Sequence, residues 1–239
     1  VVAARSLLTA PGAGQHGPAS SAEVERAHEA LTQADEAAPE GWLAMLGDKA
    51  LLFSPSGRSF IAYRVRGRRW IAMGEPAGLA SERRDLLWAF AEMADSYGGA
   101  AVFYSVGEGL LGDLATMGLA VRKVGETAVV EIAAFTLEGK PRQNLRTAIN
   151  RAEREGASFE MLPPGSARAL AEPLRLVSDA WLDEHAGEEK AFSLGRFDLD
   201  YLDRTPLAVV WGAVDEAGRR PLIAFANLLP GSAAQGAPG

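Results

Sequence analysis

The chain has 239 residues, 48% of them hydrophobic, and 24 Lys and Arg against 31 Asp and Glu give a net charge of −7. It contains no cysteine, which excludes disulfides, thiolate metal sites and cysteine nucleophiles. The acidic balance argues against general coating of nucleic acid, but screening over about 8–10 Å lets a local basic site act apart from the average.

No run of about 18 uninterrupted apolar residues is present, so no segment reads as a spanning helix. The start at Val1, with no signal-peptide pattern behind it, leads us to expect a fragment. Residues 11–21, rich in Gly, Pro, Ser and Ala, read as a flexible linker. An acidic amphipathic helix is expected over 21–37, with Val24, Ala27, Leu31 and Ala34 on its apolar side. Residues 43–53 lead into strands. Phe60 to Arg66 and Arg69 to Met73 flank Gly67 and Arg68 as a β-hairpin. Residues 82–97 predict a helix that points Leu86, Leu87, Phe90 and Met93 inward. A buried strand at 100–106, a short helix at 110–117 and two strands within 119–132, split near Gly125, complete this half. The order is that of a mixed α/β (α+β) layer with hairpins.

Residues 139–156 then predict a basic helix. From Lys140 to Arg154 it carries Lys140, Arg142, Arg146, Arg151 and Arg154 against one acid, Glu153. Arg142, Arg146, Asn150 and Arg154 are spaced by four and share a face. Leu145, Ile149 and Ala152 lie opposite and are expected to dock on a core. A docked helix with an arginine row is suited to reading phosphates; the plain alternative is a solvated amphipathic helix.

Beyond the basic helix the pattern partly repeats. Residues 166–185 predict a helix with Leu170, Leu174, Val177 and Trp181 as its inner stripe. A Gly-rich acidic loop and residues 192–201 follow. A second hairpin is expected from 207–214 and 221–229 around the turn Asp215 to Gly218. Small residues at 232–239 make this second copy read as truncated. The expected division is 1–40 for linker and acidic helix, 41–138 for the first domain, 139–157 for the connecting helix and 158–239 for an incomplete second domain.

Several motifs point to no chemistry. Gly107-Glu-Gly-Leu-Leu-Gly112 fits GxGxxG formally, but Glu108 stands where a pyrophosphate needs backbone N–H groups. Ser178, Asp179 and His185 are triad residue types without a nucleophile elbow. His185 and Glu188 are too few for a metal site, and His16 and His28 are assigned no role. Two constellations remain. Arg64, Arg66 and Arg68 alternate along the first hairpin, where one face could meet lipid or RNA phosphates. Lys190, Ser193 and Arg196 lie on a loop whose apolar anchors are Phe192 and Phe197, near Asp179 on the preceding helix. Asp179 is expected to border the buried Trp181.

The stretches Gly118-Leu-Ala-Val-Arg-Lys-Val-Gly-Glu126, Ala128-Val-Val-Glu-Ile-Ala-Ala-Phe-Thr-Leu-Glu-Gly-Lys140 and Leu145-Arg-Thr-Ala-Ile-Asn-Arg151, with Ser178-Asp-Ala-Trp-Leu182 and Glu189-Lys-Ala-Phe-Ser-Leu-Gly-Arg-Phe-Asp198, carry a resemblance. In order and over roughly 41–230, the chain resembles the soluble domain of bacterial aminoacyl-phosphatidylglycerol synthases, the phosphatidylglycerol lysyltransferases or multiple peptide resistance factors. The resemblance implies tandem GNAT-like (acetyltransferase-like) folds joined by the basic helix, and an integral-membrane domain upstream. It implies transfer of a lysyl or alanyl group from aminoacyl-tRNA to phosphatidylglycerol at the cytoplasmic face of the inner membrane, which lowers the membrane's negative charge and gives resistance to cationic antimicrobial peptides. Such an ester exchange requires no nucleotide, metal or other cofactor. Under it, Arg142, Arg146 and Arg154 would bind tRNA phosphates, and Arg64 and Arg66 would face phosphates. Lys190, Ser193 and Arg196 would hold the lipid headgroup, with Asp179, its pKa raised by burial, orienting or deprotonating the glycerol hydroxyl. The rivals are a Fem-like tRNA-dependent peptidoglycan peptidyltransferase and a non-catalytic RNA- or lipid-binding module. An acyl-CoA transferase is disfavoured, because no Gly-rich pyrophosphate loop of that type is present.

Overall fold

The structure is a computed structural model that describes residues 16–35, 38–185 and 191–231. In chain order its elements are α1 (Ser21–Thr32), β1 (Ala50–Phe53), β2 (Phe60–Arg66), β3 (Arg69–Met73), α2 (Arg83–Ser96), β4 (Ala100–Tyr104), α3 (Leu111–Thr116), α4 (Gln143–Arg154), β5 (Ser158–Leu162), α5 (Ala171–His185), α6 (Ala191–Leu194), α7 (Leu199–Asp203), β6 (Leu207–Trp211) and β7 (Leu222–Asn227). A 3-10 segment, Pro39–Leu46, precedes β1. The mixed α/β class expected from the sequence is what forms. Two compact units result. Unit 1 contains the described residues up to 122 together with 191–196 and 229–231, and unit 2 contains 123–185 and 197–228.

In unit 1 a capping box starts α1: the Ser20 side chain accepts from the Glu23 N–H, and the Glu23 carboxylate accepts from the Ser20 N–H at 2.8 Å. Val24, Ala27, Ala30 and Leu31 are its buried side; Ala34 is not part of it, because the helix stops at Thr32. β1, β2 and β3 form an antiparallel meander, and β4 joins β3 in parallel after the α2 crossover. The two-residue turn between β2 and β3 opens with Gly67 at φ 60°, a backbone that a side chain would strain. Leu86, Phe90 and Ala94 of α2 pack on Ile61, Tyr63, Trp70 and Ala72 of the sheet, and Leu87 joins Leu110 and Leu114 on its other flank. β4, expected to be buried, alternates exposed and half-buried because it is the edge strand.

The linker reading is corrected at His16, which is the first described residue; the rest of the stretch up to 15 lies outside the described residues. The imidazole sits 4.5 Å from the Trp70 ring and 4.9 Å from the Tyr97 ring, with Nδ1 2.7 Å from the Tyr63 hydroxyl. Nε2 is buried without a hydrogen-bond partner. Burial lowers the His16 pKa from its ordinary 6.5, and burial pushes the Tyr63 hydroxyl up to about 12. The sign follows directly: the fold favours neutral imidazole, so the stability it contributes is present above pH 6.5 and is lost as pH falls below it. The melting temperature should therefore drop on acidification from pH 7 to about 5.5, and His16→Phe should flatten that slope. An unchanged slope in the variant would remove His16 from the titration.

In unit 2, β5, β6 and β7 form a second antiparallel meander, and α5 packs against β7. The expected hairpin turn is present: the Asp215 side chain accepts from the N–H groups of Ala217 and Arg219 at 3.0 and 2.8 Å, with Gly218 at φ 76°. Asp198 caps α7, and Arg168 bridges Asp200 and Asp203 at 2.7 and 3.1 Å.

Three expectations on this part of the chain are corrected. Residues 119–132 form no strand; Val129 and Ile132 are 87% and 84% exposed. Alternating apolar residues become a strand only where an edge is available to pair with, and no described strand pairs with them. The basic helix α4 forms, but it buries no residue, so Leu145 and Ile149 do not dock on a core within the described residues. Of the α5 stripe only Leu174 is fully buried, while Trp181 is 58% exposed.

Candidate functional site

The chain between α5 and β6 carries one group of candidate residues. Its α6 residues and Arg196 pack within unit 1, where Ser193 and Arg196 are half-buried. Arg196 Nη2 donates to the Leu46 carbonyl at 3.3 Å. Tyr104 and Phe192 are in ring contact, 6.4 Å between centroids. Lys190, expected beside Ser193, lies outside the described residues, as do Glu188 and residues 232–239.

The arginine row of the first hairpin is broken up. β2 ends at Arg66, so Arg68 belongs to the turn and donates from Nε to the Gly98 carbonyl at 2.7 Å. Arg64 is engaged by Asp48: Nη2 donates to Oδ2 at 2.5 Å and Nε to the backbone carbonyl at 2.9 Å. Arg66 is exposed. Arg64 is therefore an ion-pair partner first, with its side chain still 42% exposed, and Arg66 is the more open of the two.

Asp179 and Trp181 belong to unit 2. Asp179 is on α5 and exposed, near a Trp181 that is itself exposed, so the burial expected of both is absent. Asp179 and Arg196 belong to different units. Trp181 lines an apolar cleft of about 630 Å³ between α5 and β7, with Leu176, Val177, Ile223 and Phe225; Ser178 and Glu184 are its polar members. The sequence could not show this, because helical spacing identifies a stripe but not what lies across from it. Trp181→Ala should then change stability by less than about 0.5 kcal/mol, the usual range for surface positions, instead of the several kcal/mol of a core aromatic. Chemical denaturation decides between these.

At the entry of α4 and along it the cations are deployed unequally. Arg142 lies 4.8 Å over the Phe135 ring. Arg146 bonds the Leu137 carbonyl and the Gly139 carbonyl, the latter at 2.8 Å, and so fastens the entry of its own helix. Arg154 bonds the Asn150 carbonyl at 3.1 Å and, with Thr147, Asn150 and Glu153, lines a shallow polar depression.

Sequence reasoning missed Asp48, Lys49 and Phe192 as a group. The signal was a charged pair set between the apolar runs 42–46 and 50–53, a place where charges fold only when partnered. Among the described residues no group of His, Asp and Glu is arranged to hold a metal ion, and no helix is long and apolar enough to cross a membrane.

Comparison with known proteins places this architecture. Residues 28–237 match the family model for the C-terminal region of phosphatidylglycerol lysyltransferase. The phosphatidylglycerol lysyltransferase of Bacillus subtilis (strain 168) is 35% identical over 188 residues, 79% of this chain and 21% of that protein. A crystal structure of the C-terminal domain of a lysylphosphatidylglycerol synthetase from Agrobacterium fabrum superimposes with a TM-score of 0.76 at 38% identity, over 87% of this chain and 63% of that one. The structure of L-PGS from Bacillus licheniformis does so with a TM-score of 0.76 at 32% identity, over 89% and 64%. The chain thus spans about a fifth of the length of the curated relatives it matches. With nearly its whole length matched by the family model and its fold shared with two solved relatives, the chain belongs to the phosphatidylglycerol lysyltransferase C-terminal family.

Proposed function

We propose that this chain is the part of an aminoacyltransferase that moves a lysyl or alanyl group from aminoacyl-tRNA to a glycerol hydroxyl of phosphatidylglycerol. The observation that carries the reading is the family match across residues 28–237. In the reaction the lipid hydroxyl attacks the ester carbonyl, a tetrahedral oxyanion forms, and the ribose hydroxyl leaves with a proton. One ester breaks and one forms, so the balance requires no nucleotide or redox partner. The site must supply a hydrogen-bonding group for the attacking hydroxyl, donors for the oxyanion, and cations for two phosphate-bearing substrates.

In this scheme Arg196 and Ser193, with Lys190 beside them in sequence, hold the lipid phosphate; Asp179 belongs to the other unit and is a separate candidate for orienting the glycerol hydroxyl. The apolar cleft beside Trp181 accepts an acyl chain, which gives its exposed aromatic ring a role. Trp181→Ala should weaken binding to phosphatidylglycerol vesicles while the fold is kept. Arg142 at the entry of α4, with Arg146 and Arg154 on it, meets tRNA, and Arg66 of unit 1 is a separate candidate for phosphate contact. Gln at Arg142, Arg146 and Arg154 together should flatten the salt dependence of tRNA binding by roughly one counterion unit per lost phosphate contact, and an unchanged slope would reject that role. Tandem acetyltransferase-like units, and a membrane-embedded domain that holds the chain at the cytoplasmic face of the inner membrane, belong to the same reading. The added cationic group would lower the negative charge that attracts cationic antimicrobial peptides.

The test is to incubate a full-length protein carrying this chain with labelled lysyl- and alanyl-tRNA and phosphatidylglycerol, then separate the lipids. Label in the lipid fraction is expected. Label in muropeptides would assign a peptidoglycan cross-bridge enzyme instead, and tRNA binding without transfer would leave a binding module.

A further inference from the structure

Asp48, Lys49 and Arg64 form a group that the acyl-transfer scheme does not use. All three belong to the same unit as residues 191–196. The Lys49 side chain is fully buried, a costly place for an ammonium unless it is paired. Its Nζ donates to Asp48 Oδ1 at 2.8 Å and to the Leu43 carbonyl at 3.2 Å. Asp48 Oδ2 accepts from Arg64, so one carboxylate serves two cations and leaves a surplus positive charge. A ring meets that surplus. Lys49 Nζ lies 5.6 Å and Arg64 Cζ 5.8 Å from the centroid of Phe192, within cation–π range. Burial lowers the Lys49 pKa, Asp48 opposes that shift, and Arg64 and Arg196 add to it. Arg196 fixes the other end of the segment through the Leu46 carbonyl. Ser193 is thus carried between two fastened residues.

We propose that Asp48, Lys49 and Arg64 are a clamp on Phe192 that positions Ser193 and Arg196, with Lys49 a positioning residue that touches no substrate. This rests on the acyl-transfer reading, in which those two side chains hold the acceptor headgroup. The clamp gives the Arg64–Asp48 ion pair a role. It also explains an aromatic at position 192, since an aliphatic side chain presents no π face to the two cations.

Hydrogen exchange on the 239-residue chain reads the clamp itself. Lys49→Met should raise exchange across 191–196 about tenfold while the α2 core peptides keep their protection, and Lys49→Arg should restore it. Phe192→Leu should give the same local rise, and it serves where Lys49→Met does not fold. In a full-length protein carrying this chain, Lys49→Met should raise KM for phosphatidylglycerol about tenfold and leave kcat within about twofold, with recovery in Lys49→Arg. Unaltered exchange at 191–196 in a folded Lys49→Met or Phe192→Leu variant overturns the clamp, whatever the enzyme transfers. The exchange effect in a protein that leaves phosphatidylglycerol unmodified overturns the acyl-transfer reading and keeps the clamp.

Discussion

Phe90→Ala should destabilise unit 1 by about 3–5 kcal/mol, the cost of removing a fully enclosed aromatic. Phe90 is 0% exposed and lies at the centre of the α2–sheet contact, 5.2 Å from the Tyr63 ring and 5.5 Å from the Phe103 ring. The edge-to-face geometry of both pairs adds to the loss of apolar burial. The neighbours that would have to collapse into the cavity, Trp70 and Leu86 among them, are themselves fixed by the sheet and the helix. Leu145→Ala on α4 is the comparison: with Leu145 43% exposed, it should cost well under about 1 kcal/mol. Urea denaturation of the two variants tests the contrast, and equal losses would mean the core has been misplaced.

Arg196→Gln should lower lipid aminoacylation by about tenfold to a hundredfold, the range for losing a hydrogen bond to a charged group worth about 1.5–3 kcal/mol. Lys at this position should restore only part of the rate, because a point charge replaces a planar fork. Asp179→Asn should cost less than about tenfold. Asp179 is exposed, so its assigned part is to orient the hydroxyl by a hydrogen bond. A hundredfold loss in Asp179→Asn, with an unchanged rate in Arg196→Gln, would exchange the two roles. Initial rates in a full-length protein carrying this chain, with each variant normalised to folded material, separate these outcomes.

Much of unit 1 was legible because its signals are local. The capping residues Ser20 and Glu23, the Gly67 turn and the inward spacing of Leu86, Leu87 and Phe90 each depend on neighbours a few residues away. The Asp215 turn in unit 2 was legible for the same reason. What failed depended on distant partners. Residues 119–132 alternate as a strand does, but pairing requires an edge. Trp181 lies on a helical stripe, yet only Leu174 of that stripe is fully enclosed. Ser193 and Arg196 were legible as polar groups beside aromatic anchors, but the expected loop is at Ser193 the short helix α6. The anchor was not legible, because Phe192 lies more than 140 residues from Asp48 and Lys49.

The central claim is best tested in a host that lacks aminoacylated lipids, expressing a full-length protein carrying this chain, with membrane lipids analysed by mass spectrometry. The account predicts a new phosphatidylglycerol species heavier by one lysyl or alanyl group, absent from the untransformed host. Unmodified phosphatidylglycerol in a host that makes the folded protein, with the amino acid recovered in muropeptides, would contradict it.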